Sequence, residues 1–273
     1  MHAKKDSLPA NILASIKNRK NRGKPSSAAR PTGTLIASYN VHKCIGTDRR
    51  FDPERTTRVI HEIDADVIAL QEADTRFGER TGILDLGRLE RETGLIPVPV
   101  AGVNKAHGWH GNVVLFKKGK VRDVHQIKLP GLEPRGALVA EIEFESGSSL
   151  RVIAAHFGLL HRSRAQQARL IVEVMNSRRE TPTVLLGDLN EWRLGDRSSL
   201  NTFQTVFGPL PPAVPSFPSG LPMLALDRIV ANRKGLISTV QVHDTQLARV
   251  ASDHLPIKAV VDLSKVREAA KAS

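Results

Sequence analysis

Hydrophobic residues along this chain fall into short runs, and run after run ends in a polar side chain. Thr34-Leu-Ile-Ala-Ser-Tyr-Asn-Val-His42 has the composition of a strand and closes on Asn40 and His42, two apart and so on one face if the strand persists. Asp52-Pro53 followed by Val59, Ile60 and Ile63 on one side predicts a helix, with Asp52 as N-cap and proline in the first helical position. Asp66-Val-Ile-Ala-Leu-Gln-Glu72 reads as the next buried strand, with Glu72 at its end. Strand, helix and strand make a βαβ-like opening. A short helix stopped by Gly94 is expected from Leu84, then a loop or sheet edge around Pro97 and Pro99.

The pattern then turns to strands at close spacing: 112–116, 121–129, 137–144 and 150–157. Leu138, Ala140, Ile142 and Phe144 alternate with Glu141 and Glu143, a half-buried antiparallel pattern. Ser163-Arg-Ala-Gln166 has the form of a capping box, and Ala168, Ile171, Val172 and Met175 form an amphipathic stripe running through Arg178. The helix leads to Thr183-Val-Leu-Leu-Gly-Asp-Leu-Asn190, where Gly187 allows close backbone approach and Asp188 and Asn190 converge if extended geometry continues. Residues 194–223, with six prolines, read as a loose, mobile flap. Three strands, 224–231, 236–243 and 256–263, close the chain, the last preceded by the turn Ser252-Asp-His-Leu-Pro256.

Composition sets limits on this picture without changing it. At 273 residues, 40% hydrophobic and 25% charged, the chain is long enough for one large domain, and no apolar run approaches the ~20 residues of a membrane span. One cysteine, Cys44, excludes an internal disulfide framework and suits a reducing, cytoplasmic setting in which it packs rather than reacts. The net charge of +12 is uneven: residues 1–30 carry eight Lys and Arg against Asp6 alone, leaving +5 for the rest. That segment reads as a basic, disordered tail, suited to nucleic acid or an anionic membrane surface, or simply to solubility. Residues 31–265 are then the folded domain and 266–273 a short C-terminal tail.

The strand-end groups are Asn40, Glu72, His156, Asp188 with Asn190, Asp227, and Asp253 with His254. Taken singly, each has an ordinary structural explanation. Together they do not, because isolated buried carboxylates cost several kcal/mol unless paired or metal-bound. The chain lacks a Gly-x-Ser-x-Gly elbow, a P-loop and a dinucleotide fingerprint, and its histidines lack zinc spacing. Carboxylates and amides with two histidines suit Mg²⁺ or Mn²⁺ holding a phosphate while an imidazole moves a proton.

The ordered series Ser-Tyr-Asn40-Val-His, Leu-Gln-Glu72, Ala-Ala-His156, Gly-Asp188-Leu-Asn190, Leu-Asp227-Arg-Ile-Val and Ser-Asp253-His254-Leu-Pro resembles the endonuclease/exonuclease/phosphatase superfamily over residues 34–263. The resemblance implies an α/β fold of four layers, two packed mixed β-sheets flanked by helices as in DNase I, and metal-dependent phosphoester hydrolysis. It implies Glu72 as the principal metal ligand with Asn40 and Asp253 close by, and Asp188 and Asn190 orienting the attacking water and a phosphate oxygen. His254, supported by Asp227, is implied as general base or phosphate-polarising group, His156 as a donor to the leaving oxygen, and Arg135 as a phosphate contact. Where the DNase I branch supports its second histidine with a glutamate, this chain reads Trp109-His110-Gly111-Asn112, without an acid. The substrate classes left open are nucleic acid, phospholipid or sphingomyelin, and inositol phosphates; the alternative outside enzymology is an idle binder of nucleic acid or anionic membrane.

Overall fold

The computed structural model describes residues 33–264 apart from Leu194, so the expected tails at 1–30 and 266–273 lie outside the described residues. Two sheets form the centre. The first has the order β10-β11-β1-β2-β4-β3, from β1 (Thr34–Asn40), β2 (Val67–Gln71), β3 (Ile96–Pro97), β4 (Val113–Phe116), β10 (Gln241–Val242) and β11 (Ile257–Val261). The second has the order β5-β6-β7-β8-β9, from β5 (Gly119–Leu129), β6 (Arg135–Phe144), β7 (Ser149–His156), β8 (Thr183–Asp188) and β9 (Asp227–Ala231).

Side-chain alternation explains the layering. Ile36 in β1 and Val67 and Ala69 in β2 point to the second sheet, where Leu138, Ala140, Val152, Ala154 and Leu186 meet them in one buried core. Tyr39, Ile68 and Leu70 point the other way, under α1 (Pro53–Ile63), α2 (Leu86–Thr93) and the short α5 (Gln246–Ala251). On the far side Val139, Ile153 and Leu185 are covered by α3 (His161–Asn176). The result is the expected four-layer α/β sandwich of two mixed sheets. α1 begins as its sequence predicts, with the Asp52 carboxylate accepting from Arg55 N at 2.8 Å and Pro53 in the first turn. Cys44 is buried, and burial pushes its thiol up to about 11, in keeping with a packing role.

Several local expectations fail for identifiable reasons. β1 stops at Asn40, and His42 lies in a 3-10 turn, so the two do not alternate on one strand. β6 is buried on both faces because α3 covers the outer one; Glu141 is buried there, paired with Arg179 at 3.0 Å and Arg151 at 3.5 Å. The capping box is absent: α3 starts three residues earlier, Leu160 caps it without a side-chain bond, and Ser163 is buried within the first turn. The helix also ends at Asn176, short of Arg178. Of the expected strand 236–243 only Gln241–Val242 forms, and α5, capped by Thr245 on Ala248 N, has too few residues to show a period. The proline-rich segment is anchored, not loose. Its α4 (Gln204–Phe207) and the preceding 3-10 turn sink Phe203 and Phe207 into the third core.

Gly187 is where β8 must accept a close neighbour. Its φ is +151°, and a Cβ there would meet the Ala155 carbonyl oxygen at 1.8 Å. Gly187→Ala is expected to cost about 3 kcal/mol, a fall of roughly 6–12 °C in Tm for a domain of this size. A thermal melt unchanged from wild type would show that β7 yields freely at this point.

Candidate active site

Strand direction brings the polar ends together. β1, β2, β7 and β8 all finish at one edge of the sandwich, and β9 and β11, running antiparallel to β8 and β1, begin there. Asp227 and His254 therefore reach the site from strand starts. His156 pairs with Asp188 in register and Asp188 with Asp227, so three of the groups sit side by side across the second sheet.

Asp188 is the hub. Its Oδ2 accepts from Asn40 Nδ2 at 2.9 Å, which ties the first sheet to the second, and its Oδ1 accepts from the Asn190 backbone N–H at 3.0 Å. Asn190 reaches the cavity through a left-handed residue, φ 51°, rather than by strand alternation, and donates from Nδ2 to the Phe157 carbonyl at 3.0 Å. His254 Nε2 lies 3.7 Å and His156 Nε2 3.5 Å from Asp188 Oδ2. Burial raises the Asp188 carboxyl to about 6, with the nearby Asp227 adding to the rise against the pull of His254 and Asn40.

His254 Nδ1 meets Asp227 Oδ2 at 2.9 Å, and the same oxygen accepts from Ser216 Oγ at 2.5 Å. Phe217 packs its ring 4.9 Å from the imidazole. Burial opposes the charged imidazole, but the Asp227 and Asp188 carboxylates outweigh it and raise His254 to about 10. Without metal the ring is thus an imidazolium at neutral pH. A raised folded-state value contributes stability that is complete below the ordinary ~6.5 of an unfolded histidine and is lost as pH rises through about 10. The chelated protein should accordingly lose stability across that window, and the His254 NMR titration should fall toward 6.5 in Asp227→Asn. Titration near 6.5 in wild type would refute the pairing.

His156 is held differently. Arg135 Nη1 donates to His156 Nδ1 at 2.9 Å, while its Nε and Nη2 engage Glu133 at 3.0 and 2.8 Å. An arginine cannot accept a hydrogen bond, so Nδ1 is the acceptor and the ring proton is on Nε2, toward Asp188. Burial first, then the Arg135 charge, keeps His156 neutral, well below the usual histidine range. Arginine stands here in place of the supporting acid that the sequence lacks.

Glu72 follows β2 in a left-handed conformation, φ 55°, and pairs with Lys43 Nζ at 2.8 Å. Burial disfavours its charge, yet Lys43 and Arg135 hold its carboxyl below the ordinary value. Asn40 Oδ1 accepts from His42 N at 3.0 Å, and Asp253 lies 3.7 Å from His42 Nδ1. All nine residues singled out from the sequence line or adjoin one cavity of about 410 Å³; Asp227 stands behind His254, outside the lining. Lys43, Arg76, Trp192 and Phe217 also line it, and sequence reading missed them because each lies in a turn or loop without a periodic pattern. Behind the wall, buried Glu191 fixes the loop after β8: it accepts from Ser199 N at 2.8 Å and Arg193 N at 2.9 Å, and pairs with Arg164.

The donor set is oxygen-rich and suits a hard divalent cation. Glu72, Asp253 and Asn40 line the cavity, and Lys43 and Arg135 offset the Glu72 charge. Among the described residues, Asp188, Asp227 and His254 also bring ligand atoms within 4.8 Å of one another, and Asp227 Oδ1 is a buried oxygen without a hydrogen-bond partner. The candidate ligands thus form two groups, Glu72 with Asn40 and Asp253 in the cavity lining, and Asp188 and His254 with the buried Asp227 behind them.

The solved structures that resemble this chain share its fold at low sequence identity. An endonuclease/exonuclease/phosphatase from Beutenbergia cavernae is 20% identical over 84% of this chain and 71% of its own, with a TM-score of 0.62. A mannosyl-6-phosphatase from Bacteroides thetaiotaomicron is 17% identical over 84% and 99%, TM-score 0.63. TDP2 from D. rerio, complexed with a single-strand DNA product, is 15% identical over 85% and 100%, TM-score 0.60. A search of curated proteins found no match. The sequence model of the endonuclease/exonuclease/phosphatase family matches residues 37–254, which takes in all nine site residues, and the chain belongs to that family.

Proposed function

We propose that this protein is a divalent-metal-dependent phosphoester hydrolase acting on phosphodiesters, with Asp227 and His254 as its proton-handling pair. The observation that carries the reading is the Asp227–His254–Asp188 row, 2.9 Å then 3.7 Å, opening on a cavity that also holds Glu72, Asn40 and Asp253. The family supplies phosphoester hydrolysis as the reaction class, and similar folds include a mannosyl-6-phosphatase and a protein complexed with a single-strand DNA product.

Glu72, Asn40 and Asp253 would hold Mg²⁺ or Mn²⁺, with Asp188 near enough to share it. When bound, the ion supplies neutralising charge for the phosphate and makes water a better nucleophile. Asp188, ionised above about 6, orients a water for in-line attack, with Asn190 beside it. His254, held by Asp227 at Nδ1, presents Nε2 to the cavity, where its N–H donates to a phosphate oxygen as charge develops. His156 offers its Nε2–H as a neutral donor toward the leaving oxygen, since Arg135 keeps it from carrying an extra proton. Phosphomonoesters, which carry one more negative charge, would need a further free cation in the pocket. Arg135 is committed to Glu133 and His156 and Lys43 to Glu72, which leaves Arg76 as the cavity-lining cation on which a phosphomonoester would have to draw.

The diester reading is tested by comparing bis(p-nitrophenyl) phosphate with p-nitrophenyl phosphate under Mn²⁺. A preference of tenfold or more in kcat/KM for the diester, about 1.4 kcal/mol, is expected. Preference for the monoester would make the enzyme a phosphatase.

A further inference from the structure

Six of the ten exposed large hydrophobic side chains among the described residues stand on three segments around the cavity mouth. Leu159 and Leu160 lie between β7 and α3, Trp192 follows β8, and Leu221, Met223 and Leu224 belong to the segment before β9. Leu159, Trp192 and Leu224 line the catalytic cavity itself. Leu159 is 62% and Trp192 52% exposed, an unusual setting for such side chains at a polar site.

The third segment is a fixed projection. Phe217 and Leu224 bridge its base, Ser219 donates from N to the Asp253 carbonyl at 2.7 Å and from Oγ to the Ser252 carbonyl at 2.7 Å, and Arg249 holds the Gly220 carbonyl at 3.0 Å. Leu221 and Met223 stand exposed on this segment. Cations accompany the apolar groups. Lys43 and Arg76 line the cavity, Arg193 lies over the Trp192 ring at 4.8 Å, and Arg162 and Arg197 are exposed nearby, against Asp196.

An apolar rim with cations set among it matches a surface that is hydrocarbon beneath and anionic above. Nucleic acid would use faces on which bases stack, and of the six rim side chains only Trp192 has one, the five Leu and Met none. Resting on the phosphodiesterase reading above, we propose that this mouth seats on an anionic phospholipid surface, so that the phosphodiester of a lipid head group enters the cavity. Water then adds to phosphorus, one P–O ester bond breaks, and the leaving oxygen takes the proton, giving an alcohol and a phosphomonoester. Trp192, apolar in body and paired with Arg193, sits where ring meets head group.

The test uses the full chain, so that any contribution of the basic N-terminal segment is the same in every variant. Trp192 emission is followed with vesicles of phosphatidylglycerol or phosphatidylcholine carrying brominated acyl chains, with Trp192→Phe to subtract Trp109. Quenching by phosphatidylglycerol vesicles is expected, at least about tenfold weaker in half-saturating lipid for Leu160→Ser/Leu221→Ser/Met223→Ser, none of which lines the cavity. Hydrolysis of dihexanoyl phosphatidylglycerol should rise across its micelle concentration in wild type and not in the triple variant. Both should cleave bis(p-nitrophenyl) phosphate alike, which excludes misfolding. Absence of quenching and of a rate rise would overturn the proposal, as would quenching by single-stranded DNA with no response to vesicles. His254→Ala separates the two readings: it should keep the vesicle response while losing hydrolysis, and retained hydrolysis would overturn the catalytic assignment alone.

Discussion

Asp227→Asn and His254→Ala should each lower kcat on a phosphodiester by about 10²–10⁴-fold, and the double variant should be little worse than either single one. The structure requires this because Asp227 meets the ring at Nδ1 while Nε2 is the atom that faces Asp188 and the cavity. Asp227 is buried and does not line the cavity, so it reaches the substrate through the imidazole it holds. Residues that act as a unit show such non-additivity. Multiplicative losses in the double variant would mean that Asp227 and His254 serve separate steps. Stability must be measured alongside, since His254→Ala leaves Asp227 and Asp188 as buried carboxylates without their shared cation.

Glu72→Gln should cost about 10³-fold in kcat/KM at saturating Mn²⁺ and weaken Mn²⁺ binding measured by calorimetry. The amide keeps the shape but loses the charge that Lys43 now offsets at 2.8 Å. Lys43→Met provides the contrast. It removes that competing cation without touching a carboxylate, and should leave Mn²⁺ binding equal or tighter. Unchanged binding in Glu72→Gln would move the ion to the other arrangement, Asp188 with Asp227 and His254.

Much of this site was legible in the sequence because its chemistry sits at strand ends, and strands announce themselves through β-branched and apolar runs such as Val184-Leu-Leu186. The two-sheet sandwich followed from the family resemblance together with those runs. What stayed hidden was set by tertiary cover. Glu141 looked half-solvated until Arg151 and Arg179 closed over it, and Ser163 looked like a cap until the helix began at His161. Phe217, Ser216 and Trp192 lie in segments whose shape comes from individual hydrogen bonds and buried anchors, with no period to read. The left-handed residues Glu72 and Asn190 made the same point at finer scale. Their identity was readable, but the turns that aim them were not.

Hydrolysis of phosphodiesters in this cavity with a divalent ion is tested by turnover of bis(p-nitrophenyl) phosphate by the full chain after dialysis against chelator. No turnover is expected in chelator, with recovery on adding Mg²⁺ or Mn²⁺ and no recovery in His254→Ala. Full turnover in excess chelator, or equal turnover by wild type and His254→Ala with metal present, would contradict it.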